Sequence, residues 1–342
     1  MLGSSLLPPG DFHPIDQRDI ETTMKTGSTN RLGFAVKVLG RPELKSHDAR
    51  RWQNDPHLRV GLGYLDAIFD YLHQAEIRMY RISSDIAPYA THPDLPQFHH
   101  QLEACLPELE RLGAKARRFD LRLSMHPAQY IVLNSPDERI AQASIRDFVF
   151  HADFLDALGC GPEAKIVTHV GGVYGDRAAA MERFVARYEQ LPEHVRMRLV
   201  LENDETSYSV PDVLSIHERT SIPVVFDILH HRVLDPSGID AVDAARLCFA
   251  TWPEAQTPKM HYSTQRTAER EIGRPGKDGA IKTAPAKPGQ HDDWIDGDDF
   301  TTFLGEIGNL SFDAMLEAKQ KDLALLRLRD SIRRAGLTEV IW

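Results

Sequence analysis

The sequence predicts a single α/β domain closed as a (β/α)8 barrel, and three observations predict it. Short β-prone apolar runs alternate with longer helix-like stretches, the pattern of βαβ units and therefore of a parallel sheet. Eight such units fit within about 300 residues, the size of a TIM barrel with insertions. No glycine-rich phosphate fingerprint follows the first run, which disfavours an open, doubly wound sheet.

Taken in order, residues 1–30 read as a short N-terminal extension. Pro8, Pro9 and Gly10 interrupt regular structure, and 22–30 is polar without a period. The barrel domain then occupies 31–342. Its strand candidates are residues 32–36, 77–84, 121–126, 165–170, 198–203, 223–230, 258–263 and 313–318. Between them lie apolar helix faces. One is marked by Leu102, Cys105, Leu106, Leu109 and Leu112. A second is marked by Phe148, Phe150, Phe154, Leu155 and Leu158, and a third by Ala244, Ala245, Leu247, Cys248 and Ala250.

Composition narrows the class. The chain of 342 residues can bury a large core and shows no low-complexity majority. No apolar run approaches the ~20 residues of a membrane span. The first residues lack the basic region and apolar length of a secretory signal. The 3 scattered cysteines, Cys105, Cys160 and Cys248, make neither a disulfide framework nor a CxxC zinc site, so a reducing cytoplasm is expected. No obligate protein partner is evident. With 40 basic against 50 acidic residues the net charge is −10, which opposes nonspecific binding to a polyanion. Bound divalent cations and local charge moderate that objection, since screening confines charge effects to ~8–10 Å. Residues 266–287 are locally basic, with Arg266, Arg270, Arg274, Lys277, Lys282 and Lys287.

The strand candidates end in polar residues: Ser83-Ser84, His126, His169, Glu202-Asn203, Asp227 to His230, His261 and Glu317. In a parallel barrel these ends share one face, where active sites lie. Taken singly, each can be a satisfied polar cap on a buried strand. Together, imidazoles and carboxylates converging on one mouth would crowd like charges in low dielectric unless cations joined them. The donor set suits zinc, manganese or iron(II), and its size exceeds the needs of one ion. Paired ions ~3.5–4 Å apart suit phosphodiester hydrolysis, and Glu202, central among the strands, is placed to bridge them.

Asp227-x-x-His230 stands at a strand end, where alternation sends residues three apart to opposite faces. Asp227 would then face the barrel while His230 swings over the rim, on a different metal. His231 is expected to face solvent or to support the ligands. His291 and Asp293 follow the basic segment and are placed to reach back to the mouth. His47, His57 and His73 have no converging partners, His99 and His100 sit at the start of a helix pattern and read as surface, His151 lies on an apolar helix face, and Arg117-Arg118 reads as a solvated helix end.

These motifs resemble the ultraviolet damage endonucleases. The resemblance is carried by Tyr80-Arg81-Ile82-Ser83-Ser84, Ser124-Met125-His126-Pro127-Ala128-Gln129-Tyr130, Thr168-His169-Val170-Gly171-Gly172 and Leu201-Glu202-Asn203-Asp204. It continues through Phe226-Asp227-Ile228-Leu229-His230-His231, Lys259-Met260-His261-Tyr262-Ser263, His291-Asp292-Asp293-Trp294-Ile295 and Met315-Leu316-Glu317-Ala318-Lys319. The set runs in the family's order over about residues 31–330.

The resemblance implies a metal-dependent DNA repair endonuclease that uses two or three divalent ions, with manganese as the expected metal. One ion would be held by His126, His169 and Glu202. A second would be held by Glu202, Asp227, His261 and Glu317, and a third by His230 and His291, with Asp293 as an addition. Lys259 matches a lysine beside the metals that is a candidate for carboxylation, and with Glu202 it is the expected catalytic pair. Gln129 and Tyr130 match residues pushed into damaged double-stranded DNA, where unstacking is least costly. The nick would fall immediately 5′ of a cyclobutane dimer or 6-4 photoproduct. Phe34 and Val38 depart from the family's Tyr and Asn that help hold the damaged strand. Two other readings stand beside this one: a barrel sugar isomerase or epimerase with a His/carboxylate metal site, and a lesion-binding relative without cleavage.

Overall fold

Each of the expected runs forms a strand, shorter than its apolar stretch. The computed structural model describes residues 30–272 and 282–337. The extension up to residue 29, and Arg274 and Lys277 of the basic segment, lie outside the described residues. The strands are β1 (Leu32–Ala35), β2 (Met79–Arg81), β3 (Arg122–Met125), β4 (Lys165–His169), β5 (Leu199–Glu202), β6 (Val224–Asp227) and β7 (Lys259–Tyr262). They continue with β8 (Arg270–Ile272), β9 (Lys282–Ala284) and β10 (Asp313–Leu316).

All strands but β8 and β9 join one closed barrel in the order β1-β10-β7-β6-β5-β4-β3-β2, with every pairing parallel. The antiparallel β8–β9 hairpin is an insertion after β7 that falls in the basic segment, where the sequence offered no alternation to announce it. Barrel closure demands a close approach at Gly33, where a Cβ would lie 2.7 Å from the Met79 Cγ and 2.9 Å from the Met79 carbonyl oxygen.

The helices cover the barrel as α1 (Leu58–Gln74), α2 (Leu106–Arg118), α3 (Glu138–Ala157), α4 (Arg177–Glu189), α5 (Glu193–Arg198), α6 (Val210–Thr220), α7 (Ile228–Val233), α8 (Ala241–Phe249), α9 (Gly297–Ile307) and α10 (Lys321–Arg334). Several start where a side chain takes an orphan N–H. Asp137 accepts from Arg139 ahead of α3, and Asp296 accepts from Asp298 and Asp299 ahead of α9. Phe148, Phe154 and Leu155 of α3 are buried as the apolar face predicts. In the second helix the apolar stretch begins as a 3-10 turn, Glu103–Cys105, so Leu106 falls outside the packed face and remains 43% exposed.

The lower end of the barrel is closed by Arg122 at the start of β3, which meets Asp313 of β10 at 2.7 Å with both side chains buried. Trp252 packs over the same end and donates to the Val224 carbonyl at 2.7 Å. This leaves the upper end, where the strands finish, for chemistry.

Most discounted histidines have local tasks. His57 caps α1, and His73 stacks on Phe119 with ring centres 4.0 Å apart. His151 is packed inside α3, and His100 is exposed. His47, expected to lack partners, lies 3.4 Å from the Ser83 hydroxyl. Arg117 and Arg118 are exposed, and Arg117 reaches the Gly159 carbonyl at 2.8 Å. Cys105, Cys160 and Cys248 are unpaired, and no helix of the described residues is long and apolar enough to cross a membrane.

Candidate metal centre

Parallel register brings the polar strand ends level. His169 of β4 sits beside Glu202 of β5, and Asp227 of β6 beside His261 of β7. His126 follows β3 and Glu317 follows β10, so both reach the same mouth. At the mouth, three triads have their donor atoms within 4.8 Å of one another: His126, His169 and Glu202; Glu202, Asp227 and His230; Asp227, His261 and Glu317. His291, in an antiparallel bridge with Gln265, stands at the rim with its Nε2 3.7 Å from the Glu317 carboxylate. Its ring centre is 6.2 Å from that of His230.

Hydrogen bonds to backbone carbonyls fix which nitrogens face the centre. A carbonyl only accepts, so the His126 Nδ1 donates to Pro127 at 3.1 Å and leaves Nε2 as a lone pair. That lone pair points at the Glu202 Oε2, 3.1 Å away. The His169 Nε2 approaches the same oxygen at 3.5 Å. His230 donates its Nδ1 proton to the Asn203 carbonyl at 3.0 Å, turning Nε2 towards Glu205 at 3.6 Å. At His261 the guanidinium of Arg81, donor only, lies 2.6 Å from Nε2, while Nδ1 lies 2.6 Å from the Glu202 Oε1.

Charge follows this geometry. Burial, then the neighbouring Glu317 and Asp227 charges, push the Glu202 carboxyl well above its usual range. Burial also raises Asp227. Burial holds His126, His169 and His261 below the usual imidazole range, in the neutral form that ligates metals. Burial acts against the Glu317 charge too, but Arg81 and the surrounding imidazoles outweigh it and hold that carboxyl well below its usual range. Asp227 Oδ2 and His169 Nδ1 are buried with no hydrogen-bond partner. The free His126 lone pair and the buried Asp227 oxygen that lacks a donor fit divalent cations.

The structure corrects the sequence reading at several points. Alternation does not govern Asp227 and His230, because the strand ends at Asp227 and α7 starts at the next residue. Asp227 caps that helix, accepting from the His230 N–H at 2.8 Å, and the helical turn brings the His230 Nδ1 to 3.7 Å from the Asp227 Oδ2. His231, expected to face solvent or support ligands, is buried against Phe226 and bonds the Ile239 carbonyl at 2.9 Å. Asp293 is turned to Arg266, at 3.4 Å, and belongs to none of the triads.

Other side chains of the site had no task assigned from sequence. Arg81 ends β2 and reaches Glu317 at 2.5 Å as well as His261; an arginine in a buried run is the signal that marks it. Asn203 ties β5 to β6, donating to the Asp227 carbonyl at 3.0 Å and accepting from its N–H at 2.9 Å. Glu205 flanks His230.

Lys259 is fully buried with its Nζ donating to the Ser124 hydroxyl at 2.9 Å. Burial, then the charges of Arg81 and Arg122, lower its pKa well below that of a free lysine. Gln129 and Tyr130 stand exposed on the loop beyond His126, Tyr130 at 71%. Phe34 and Val38 are buried; Phe34 meets Tyr80 edge-on at 5.4 Å and presents nothing to the mouth.

Known proteins share the sequence and the fold of this chain. The model of the UV-endonuclease UvdE family matches residues 62–341. The chain is 33% identical over 282 residues to a UV DNA damage endonuclease of Clostridium perfringens, covering 82% of this chain and 64% of that protein. It is 34% identical over 278 residues to a UV DNA damage endonuclease of Bacillus cereus, covering 80% of this chain and 81% of the other. The crystal structure of SacUVDE superposes with a TM-score of 0.75 at 32% identity, covering 90% of this chain and 99% of that one.

Proposed function

The chain belongs to the UV-endonuclease UvdE family, and from that premise we propose that it is a metal-dependent DNA repair endonuclease acting on ultraviolet photolesions in duplex DNA. The observation that carries the metal dependence is the meeting of acceptors at Glu202. The His126 Nε2 lone pair and the Glu202 Oε2 face each other at 3.1 Å, which is unfavourable unless a cation or a proton lies between them.

In this reading His126, His169 and Glu202 hold one ion. Glu202, Asp227, His261 and Glu317 hold a second, and His230 with His291 holds a third, with manganese as the expected metal. Bound ions supply Lewis acidity to a phosphodiester and its leaving oxygen. The chain's own groups do the rest. Glu202 links the first two positions, Arg81 orients Glu317 and His261, and Asn203 fixes Asp227 and His230. The Lys259 amine, held neutral, is the form that takes up carbon dioxide, so this lysine is the site for a carbamate. The whole barrel domain, residues 31–342, carries the activity, and a cytoplasmic location fits the three unpaired cysteines.

Gln129 and Tyr130 enter the duplex at the lesion. Tyr130 is 71% exposed on the loop beyond His126, so its ring is open to a base, and base–aromatic stacking contributes ~1–3 kcal/mol. The nick falls immediately 5′ of the lesion. Because Phe34 and Val38 are packed into the core, the damaged strand is held by other side chains than the family's Tyr and Asn.

The test is a labelled duplex with one cyclobutane dimer or one 6-4 photoproduct, incubated with manganese and compared with abasic and undamaged duplexes. A single nick 5′ of the photolesion is expected. Tight binding to the lesion without a nick under any divalent ion would make the protein a damage binder instead of a nuclease.

A further inference from the structure

The edge of the mouth beside Glu317 is built differently from the rest of the rim. In the β1/β10 pairing Phe34 lies opposite Leu316, and Lys37 and Lys319 each follow three residues further along, beyond the strand ends. The backbone N–H groups of Leu39 and Gly40 bond the Asp322 carboxylate at 2.7 and 3.0 Å, clamping the loop after β1 to the head of α10, which begins at Lys321. Val36 donates to the Arg81 carbonyl at 3.0 Å, drawing the same loop towards β2. Lys37, Lys319 and Lys321 thus lie on two segments tied together at Asp322, and the charges of Lys37, Lys319 and Arg81 all act on Lys321.

The nearby carboxylates are already engaged. Asp322 is fully buried and also accepts from the Tyr71 hydroxyl at 2.8 Å. Glu317 is bonded to Arg81 at 2.5 Å. Among the described residues, Lys37, Lys319 and Lys321 have no ion pair, whereas most arginines of this chain do. Burial, and the charges of Arg81, Lys319 and Lys37, depress the Lys321 pKa in spite of Glu317, as expected of cations held near each other.

The backbone is also held in a costly form here. Val36 (φ 69°) and Lys321 (φ 49°) are both left-handed, and for a β-branched residue this is rare. Such positions are strained and persist where surrounding structure imposes them. On a chain of net charge −10, a clamped edge of unpaired cations is a local exception.

We infer that Lys37, Lys319 and Lys321 form a binding site for the phosphodiester backbone of DNA, one strand end (β2) removed from the loop that carries Gln129 and Tyr130. This inference rests on the reading of the protein as a DNA enzyme. Ammonium groups on flexible stems suit it, since they follow a backbone as point charges without reading sequence. Each neutralised phosphate releases counterions, which makes the site visible as salt dependence.

The experiment is fluorescence anisotropy of the full chain on a labelled duplex with a single dimer, between about 50 and 200 mM salt. Lys37→Gln, Lys319→Gln and Lys321→Gln are each expected to weaken binding and to reduce the slope of log affinity against log salt by about 1. Manganese content and Tm should stay at their wild-type values, and Arg334→Gln at the far end of α10 should leave the slope alone. Slopes unchanged in all three lysine variants, with the wild type binding DNA normally, would overturn the site. A wild type that neither binds nor nicks any duplex would overturn the DNA reading itself.

Discussion

Glu202→Gln replaces one oxygen by an amide at nearly constant volume, in the place where the account concentrates its chemistry. Glu202 lies 2.6 Å from His261, 3.1 Å from His126 and 3.5 Å from His169, and it belongs to two of the triads. Without metal, its charge is opposed by burial and by Glu317 and Asp227. The amide removes that opposition, so the metal-free Tm should hold or rise, as neutral replacements of buried ions often do. With metal the sign reverses. A unit charge pair about 4 Å apart is worth ~4 kcal/mol at an effective dielectric of about 20. At ~1.4 kcal/mol per tenfold, manganese affinity should fall roughly a thousandfold, and nicking at least as far. Calorimetric titration with manganese, thermal melts with and without the ion, and the nicking assay read the three effects separately. Near-wild-type nicking with unchanged manganese affinity would refute the reasoning, and so would a large loss of metal-free stability.

Other outcomes follow from the same geometry. Asn203→Ala releases the clamp on Asp227 and should lower manganese affinity by about 10–100-fold while the fold survives, which titration calorimetry reads. Tyr130→Ala should cut nicking of a dimer-containing duplex by about tenfold or more, with manganese binding unchanged; equal nicking would remove it from the DNA contact. Asp313→Ala strands the buried Arg122 charge and should cost ~3–5 kcal/mol in urea denaturation. Burial, with Arg122 and Arg198 nearby, lowers the Lys165 pKa to about 8. An unfolded lysine titrates near ~10.4, so between those values the unfolded chain binds more protons and stability rises with pH. Lys165→Met should lose that rise, seen as a flatter dependence of unfolding free energy above about pH 8; a slope equal to that of the wild type would contradict it.

The barrel and the convergence of these side chains at its mouth are legible because both depend on strand ends. Apolar runs finishing in His126, His169, Glu202, Asp227, His261 and Glu317 give the face once the sheet is parallel. What was hidden depends on where a strand stops. The β-prone stretch around 223–230 gives no sign that pairing ends at Asp227, yet that boundary turns a two-residue period into a helical one and places His230 beside Asp227. His231 was misread for the same reason: the helix turns it inward against Phe226. Arg81 is masked by the serines that follow it in the same run, and an arginine's partners on distant strands leave no trace in local spacing. The proposed lysine edge is equally silent, since the Asp322 clamp that joins the loop after β1 to the head of α10 links residues far apart in the chain.

The most direct measurement is anomalous diffraction at the manganese edge from crystals of the wild-type protein grown with the ion. Peaks should appear inside the mouth, one within donor distance of His126, His169 and Glu202 and another within donor distance of Asp227, His261 and Glu317. An empty mouth, or manganese bound only at exposed carboxylates such as Asp153 and Asp156, would contradict the account.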